Sequence, residues 1–155
     1  MNSIEFKQVF DDKEKSEITR VILESLTKWF EIKESREEYI RNSKDKDFIC
    51  AYDNDKPIGF LYLKQTGKDT VELAVMGVLN EYHRLGIGKK LFAKAKEVAL
   101  DKGYSFIQVK TVKYGVYKEY DITNKFYLSL GFKELEVLPL YWDEANPCQI
   151  YIMNI

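Results

Sequence analysis

The chain is short of nearly everything that marks a secreted, membrane-bound or metal-centred protein. Its 155 residues hold two cysteines, Cys50 and Cys148, and one histidine, His83. The cysteines stand in apolar stretches with no CxxC pair, so neither a disulfide framework nor a zinc site is indicated, no metal is expected, and both thiols read as reduced. Three prolines and eight glycines are too few for a linker-rich or low-complexity chain. No apolar run approaches bilayer-spanning length. The opening Met1-Asn2-Ser3-Ile4-Glu5-Phe6-Lys7 lacks the apolar core of a signal peptide, so a cytoplasmic protein without membrane contact is expected. Charge of one sign is missing too: 24 Lys and Arg against 25 Asp and Glu leave a net charge of −1. A nucleic-acid partner is therefore not expected, because counterion release needs a concentrated basic excess. What is plentiful is apolar surface, 45% of residues, which suits a single globular domain over 1–155.

Residues 4–9 alternate as a strand does, and Ile18, Val21, Ile22, Leu26, Trp29 and Phe30 recur at the spacing of one helical face. Ser35 with Glu38 predicts a capping box opening a second helix to about Asn42. Phe48–Tyr52 and Ile58–Leu63 flank turn chemistry at 53–57 and predict a hairpin, and a further strand, Val71–Val78, follows Gly67-Lys68-Asp69. A helix is predicted from about Gly86 to Lys102, with Leu91, Phe92, Ala95, Val98 and Ala99 on one face and Gly103 as its stop. Ser105–Thr111 reads as a strand, Asp121 or Thr123 as the cap of a last helix ending at Gly131, and Phe132–Leu138 and Gln149–Ile155 as the closing strands. The final strand could pair across a homodimer. The order βααβββαβαββ predicts a mixed α/β fold, with helices covering a twisted sheet.

The most informative stretch is Glu72 to Lys90. An apolar strand passes through Leu79-Asn80-Glu81-Tyr82 into His83-Arg84-Leu85-Gly86-Ile87-Gly88-Lys89-Lys90, a helix start with two glycines and flanking cations. Unpaired N–H groups and the positive end of the helix dipole make such a start an anion site that a phosphate can approach closely. Neither familiar nucleotide motif fits: GxxxxGK[ST] is absent, and Leu91 stands where the dinucleotide fingerprint needs a third Gly or Ala.

The register His83-Arg84-Leu85-Gly86-Ile87-Gly88 resembles the coenzyme A loop, Gln/Arg-x-x-Gly-x-Gly/Ala, of the Gcn5-related N-acetyltransferase (GNAT) family. Asn124-Lys125-Phe126-Tyr127-Leu128-Ser129-Leu130-Gly131-Phe132 resembles that family's second signature. The resemblance implies a mostly antiparallel twisted sheet of six to seven strands flanked by about four helices, with acetyl-CoA as acetyl donor and no metal. It implies that Arg84, Leu85, Gly86, Ile87, Gly88 and Lys89 meet the phosphates, and that main-chain groups of Met76, Gly77 and Val78 hold the pantetheine arm where that strand splays from the strand at 105–111. Asn124 would hydrogen-bond the same arm. His83 replaces the usual Gln or Arg, so a pyrophosphate contact there would be weaker or pH-dependent.

Moving an acetyl group from a thioester to an amine needs a proton acceptor, a donor to the carbonyl oxygen and a donor to the departing sulfur. By resemblance these are Glu72, a backbone N–H near Val78, and Tyr127, with transfer direct in a ternary complex. Each has a plainer reading: Glu72 as a salt-bridged strand residue, Tyr127 as a core ring, Asn124 as a polar residue near a helix start. The acceptor, a small-molecule or peptide amine, would meet Trp29 and Phe30 and the aromatic-acidic connection Tyr141-Trp142-Asp143-Glu144, whose rings and carboxylates suit a cation. Two rivals stay open: a non-catalytic acyl-CoA-binding module of the same fold, and a single-strand binder using the Tyr- and Lys-rich stretch 110–120.

Overall fold

A seven-stranded sheet carries the molecule. In the computed structural model, which describes residues 3–155, the elements follow in the order β1 (Ile4–Val9), α1 (Asp12–Ser25), α2 (Lys33–Asn42), β2 (Asp47–Asp53), β3 (Lys56–Gln65), β4 (Thr70–Val78), α3 (Ile87–Asp101), β5 (Phe106–Val112), α4 (Lys118–Leu130), β6 (Lys133–Asp143) and β7 (Asn146–Asn154). Met1 and Asn2, on which part of the amino-terminal reading rests, lie outside the described residues. Strand order is β1-β2-β3-β4-β5-β7-β6. All neighbours are antiparallel except β4 and β5, so the mixed, mostly antiparallel sheet with four helices is as expected. Among the described residues no helix is long and apolar enough to cross a membrane.

Several local expectations are corrected. The apolar spacing through Leu26, Trp29 and Phe30 does not continue α1. That helix stops at Ser25, and Trp29 and Phe30 N–H donate to Leu26 O in the turn that follows. Val21 is exposed. The capping box does not form, because α2 already starts at Lys33 after Ile32, with Ser35 and Glu38 inside it. Likewise α4 starts at Lys118, and Asp121 instead accepts from Gly115 N–H at 2.6 Å across the preceding loop. Tyr141 and Trp142 belong to β6 rather than to a connection, since pairing between β6 and β7 resumes at Asp143↔Asn146. The last strand cannot pair across a dimer, because β7 is flanked by β5 and β6; the edge strands are β1 and β6.

Two features of β4 position everything that follows. Tyr62 pairs with Val75 but Leu63 with Leu73, so Ala74 is an extra residue, a β-bulge. It reverses the face on which residues below it point, putting Glu72 on the same side as Val75 and Gly77 rather than that of Met76. Gly77 lies under α1: a Cβ there would stand 3.0 Å from Leu26 Cδ1 and 3.1 Å from Ile22 Cγ2. Met76 points to the opposite side, toward the start of α3. The second feature is that β4 pairs with β5 only through Thr70↔Phe106, Val71↔Ile107 and Glu72↔Gln108. Past Glu72 the two strands part, and the upper half of β4 keeps one unpaired edge.

Candidate active site

The α3 start is built as its glycines demand. Gly86 takes φ +76° with nothing within 4 Å of a would-be Cβ, and Arg84 also adopts a positive φ of +66°. The first α3 bond runs from Lys90 N–H to Gly86 O at 3.2 Å. The N–H groups of Ile87, Gly88 and Lys89 therefore have no partner within the helix. Leu85, Arg84 and Lys89 are exposed around them, while the Ile87 side chain turns into the core. An open, donor-lined and cation-flanked turn of this kind is suited to a phosphate group. At Gly88 a Cβ would meet Met76 Cε at 2.9 Å and Phe126 Cζ at 3.0 Å. Here β4, α3 and α4 converge at the head of the gap.

Along that gap the backbone alternates. Leu79 N–H donates to Ile58 O at 2.9 Å, so residues in step with Leu79 spend their main-chain groups on β3 and those between them face β5. Met76 and Val78 face the gap. Gly77 does not: its main chain bonds β3, and its missing side chain makes room for α1. The Val78 carbonyl is already engaged, because His83 Nε2–H donates to it at 2.6 Å. His83 thus bonds the strand's own end, and its ring meets Trp29 edge-on at 5.9 Å.

Asn124 lies inside the fold. It is 0% exposed; its amide nitrogen donates to Val112 O at 2.9 Å and Tyr120 O at 2.6 Å, and its oxygen accepts from Tyr151 hydroxyl at 2.6 Å. A side chain so enclosed ties α4 to β5 and β7, with both amide hydrogens committed to protein carbonyls. One helical turn further on, Tyr127 is 7% exposed, packed against Phe126, Phe132 and Tyr151. Burial, with a smaller push from Tyr120, raises its pKa well above the ordinary phenol value. Gly131 at φ +106° turns the chain after α4, with Phe132 N–H returning to Tyr127 O.

On the opposite face lies a cleft of about 550 Å³ between α2, β3, β4, β5 and β6. The Glu72 carboxylate accepts from Lys110 Nζ on its floor, both side chains largely buried at 15% and 17% exposure. Tyr39, Tyr62, Tyr141 and Trp142 form its aromatic walls, and Lys110 Nζ sits 5.8 Å from the Tyr141 ring centre. The structure thus brings Glu72, Tyr141 and Trp142 together. Trp29 and Phe30 stand apart from the lining. Trp29 Nε1–H donates to Glu119 O at 3.3 Å and its own carbonyl accepts from Tyr120 hydroxyl at 2.9 Å, while Phe30 backs Tyr39 edge-on. Asp143 accepts from Asn146 in the hairpin turn.

Tyr39, Tyr62 and Lys64 escaped the sequence reading, and Lys110 entered it only within the stretch 110–120. A signal existed for Lys64: it and Glu72 are equidistant from Lys68 in the turn Gly67-Lys68-Asp69, and they are cross-strand partners.

The sequence profile of the acetyltransferase (GNAT) family matches residues 15–132. No curated protein matches the chain. Among solved structures, a Desulfovibrio desulfuricans protein assigned to the GNAT family is similar at a TM-score of 0.86 and 17% identity, covering 98% of this chain and 99% of that one. The PaiA N-acetyltransferase of Thermoplasma acidophilum, in complex with coenzyme A, is similar at 0.74 and 21% identity, with 99% of each chain covered. A GNAT-family acetyltransferase from Elizabethkingia anophelis with acetyl-CoA bound is similar at 0.76 and 16% identity, with 100% of each covered. The loop at 83–89, the parted β4 and β5 and the profile spanning most of the chain agree, and the protein belongs to the GNAT acetyltransferase family.

Proposed function

We propose that the chain transfers the acetyl group of acetyl-CoA to a primary amine directly, in a ternary complex. The observation that carries this reading is the parting of β4 from β5 above Glu72. It leaves a passage between the α3/α4 face, where Tyr127 lies, and the α1/α2 face, where Glu72 floors a cleft. A donor held on one face and an acceptor on the other meet only there.

Bound acetyl-CoA supplies an activated acyl group on a thiol leaving group. The chain does the rest. N–H groups of Ile87, Gly88 and Lys89, with Arg84 and Lys89, hold the phosphates, and the gap-facing main chain of Met76 and Val78 holds the pantetheine arm as an added strand. His83 must release the Val78 carbonyl for that purpose. The Val78 N–H is aimed to stabilise the carbonyl oxygen as it gains charge. Glu72 takes the amine proton through the oxygen that Lys110 leaves free, directly or through water. Tyr127 donates a hydrogen bond to the departing sulfur. Since burial strengthens its hold on the proton, while a thiol ordinarily titrates near ~8.5, it stabilises the thiolate by donation rather than by giving up the proton.

Free-thiol release from acetyl-CoA across an amine panel tests the reading. Tyr127→Phe keeps the ring and removes the donor, so kcat should fall by roughly 100-fold with little change in acetyl-CoA affinity. An unchanged kcat removes Tyr127 from the chemistry. Tight acetyl-CoA binding with no amine consumed makes the chain a non-catalytic acyl-CoA-binding module. One of the similar solved structures is an aminoglycoside 6'-N-acetyltransferase in complex with coenzyme A, which supports an amine as the acceptor.

A further inference from the structure

Cations run across the floor of the Glu72 cleft. Lys64 on β3 is the direct cross-strand partner of Glu72 on β4, so their Cβ atoms are about 5 Å apart. Lys110 on β5 closes the other side of the carboxylate. Asp47 pairs with Leu63, so Lys46 stands one step further along the same row, next to Lys64. The lining includes these three lysines and two carboxylates, Glu38 and Glu72. Lys110 and Glu72 neutralise each other. Lys46 and Lys64 form no ion pair among the described residues, and only Glu38 is left to oppose them.

This balance is unsuited to a polycation. A polyamine or aminoglycoside would meet a Glu72 already neutralised by Lys110 and lie beside two further ammonium groups. An acceptor with its own negative charge is drawn in, its anion paired by Lys46 and Lys64 while its amine reaches over Glu72 toward the gap. Tyr141 and Trp142, both substantially exposed on β6, offer apolar surface to the body of such a molecule. We propose that the acceptor is a primary amine carrying a carboxylate, an amino acid with an apolar or aromatic side chain, whose carboxylate is bound by Lys46 and Lys64. This rests on the acetyltransferase reading for the transfer step, but the charge preference belongs to the cleft itself.

The test compares L-phenylalanine with phenethylamine, the same amine and ring without the carboxylate, and with spermidine. Thiol release reports transfer, and calorimetry on protein saturated with coenzyme A reports binding. Phenylalanine should exceed phenethylamine about 10-fold in kcat/KM and in affinity, as expected for one charge-assisted contact. Spermidine should be poorest. Lys46→Ala with Lys64→Ala should reduce the preference to within about two-fold of unity, at a thermal midpoint close to the parent's. Equal or better use of phenethylamine or spermidine, or a preference that survives the double variant, overturns the proposal. If no amine releases thiol yet phenylalanine binds in preference to phenethylamine, acetyl transfer fails and the carboxylate site stands. If phenethylamine is acetylated with no preference in either assay, the transfer reading stands and the carboxylate site fails.

Discussion

Gly77 and Gly86 flank the same stretch but answer to different forces, and alanine separates them. At Gly77 the backbone is ordinary strand, and the obstacle is space: a Cβ would lie 3.0 Å from Leu26 Cδ1, 3.1 Å from Ile22 Cγ2 and 3.4 Å from Phe60 Cε1. Ile22 and Phe60 are fully buried and Leu26 nearly so, so none can swing into solvent to make room. Overpacking of this kind costs about 1–3 kcal/mol. Restricting the unfolded chain returns about 0.5–1 kcal/mol, leaving a net loss of about 1–2 kcal/mol. For a domain of this size each kcal/mol moves Tm by about 2–4 °C, so Gly77→Ala should unfold about 2–8 °C earlier. Because the Gly77 main chain faces β3, the KM for acetyl-CoA should stay within two-fold of the parent. At Gly86 nothing stands within 4 Å, but φ is +76°, a conformation that costs a side-chain-bearing residue about 1–2 kcal/mol. The open space lets the loop shift to relieve that strain, so Gly86→Ala should raise the KM for acetyl-CoA about 10-fold, with a Tm loss no larger than that of Gly77→Ala. Scanning calorimetry and steady-state kinetics on the pair decide the matter. A Gly77→Ala protein of parental Tm but impaired acetyl-CoA binding would refute the alternation argument and return Gly77 to the pantetheine contact.

Removing the Asn124 amide with Asn124→Ala orphans buried partners on Val112 and Tyr151, at about 1–3 kcal/mol each. Tm should drop by roughly 4–24 °C, while acetyl-CoA affinity of the folded protein, read by calorimetry well below Tm, holds; lost affinity at parental Tm would make Asn124 a ligand. Alkali should destabilise the fold in a defined order. Burial pushes the Cys50 thiol up to about 12 and raises Tyr62, Tyr127 and Tyr39 above the ordinary phenol value. Each group binds its proton more tightly folded than unfolded, so its contribution is intact below the unfolded pKa and is lost as pH rises toward the folded one. Stability should begin to fall above pH about 9 through Cys50 and more steeply above about 10 through the tyrosines, and Cys50→Ala should flatten the first part of a Tm-against-pH curve.

The elements were legible because each buries one face. The spacing of Leu91, Phe92, Ala95 and Ala99 and the alternation along β4 are direct images of packing, and all eleven regular elements occur in the expected order. Boundaries were less legible where a local pattern competed with tertiary contact. Trp29 continues the helical spacing of α1, yet its indole and carbonyl are held by the start of α4 some 90 residues away, and that attachment draws it off the helix. Ser35 and Glu38 have the spacing of a capping box, but Arg36, bonding Phe30 O and Glu31 O, fastens the turn to a helix already under way. Asn124 belongs to a signature and sits near a helix start; only the positions of Val112 and Tyr151 show that its bonds are spent.

The bulge at Ala74 is the deepest of these hidden features, because without it the candidate site would not assemble. Strict alternation from Met76 would send Glu72 to the α3 face, away from Lys110 and Tyr141. The extra residue turns Glu72 to the other face, against Lys110 and beneath Tyr141. It also lies just above the point where β4 stops pairing with β5, so one local irregularity accompanies both the opening of the passage and the placing of a carboxylate on its α1/α2 side. A bulge of this kind leaves little mark on composition: Ala74 is an unremarkable strand residue, and burial along β4 still alternates through it. Its evidence lies in the partner strand, where Leu63 and Tyr62 are consecutive while their partners Leu73 and Val75 are not. The chemistry available to Glu72 is therefore settled by a pairing register between two strands, whereas the phosphate loop is settled by its own glycines.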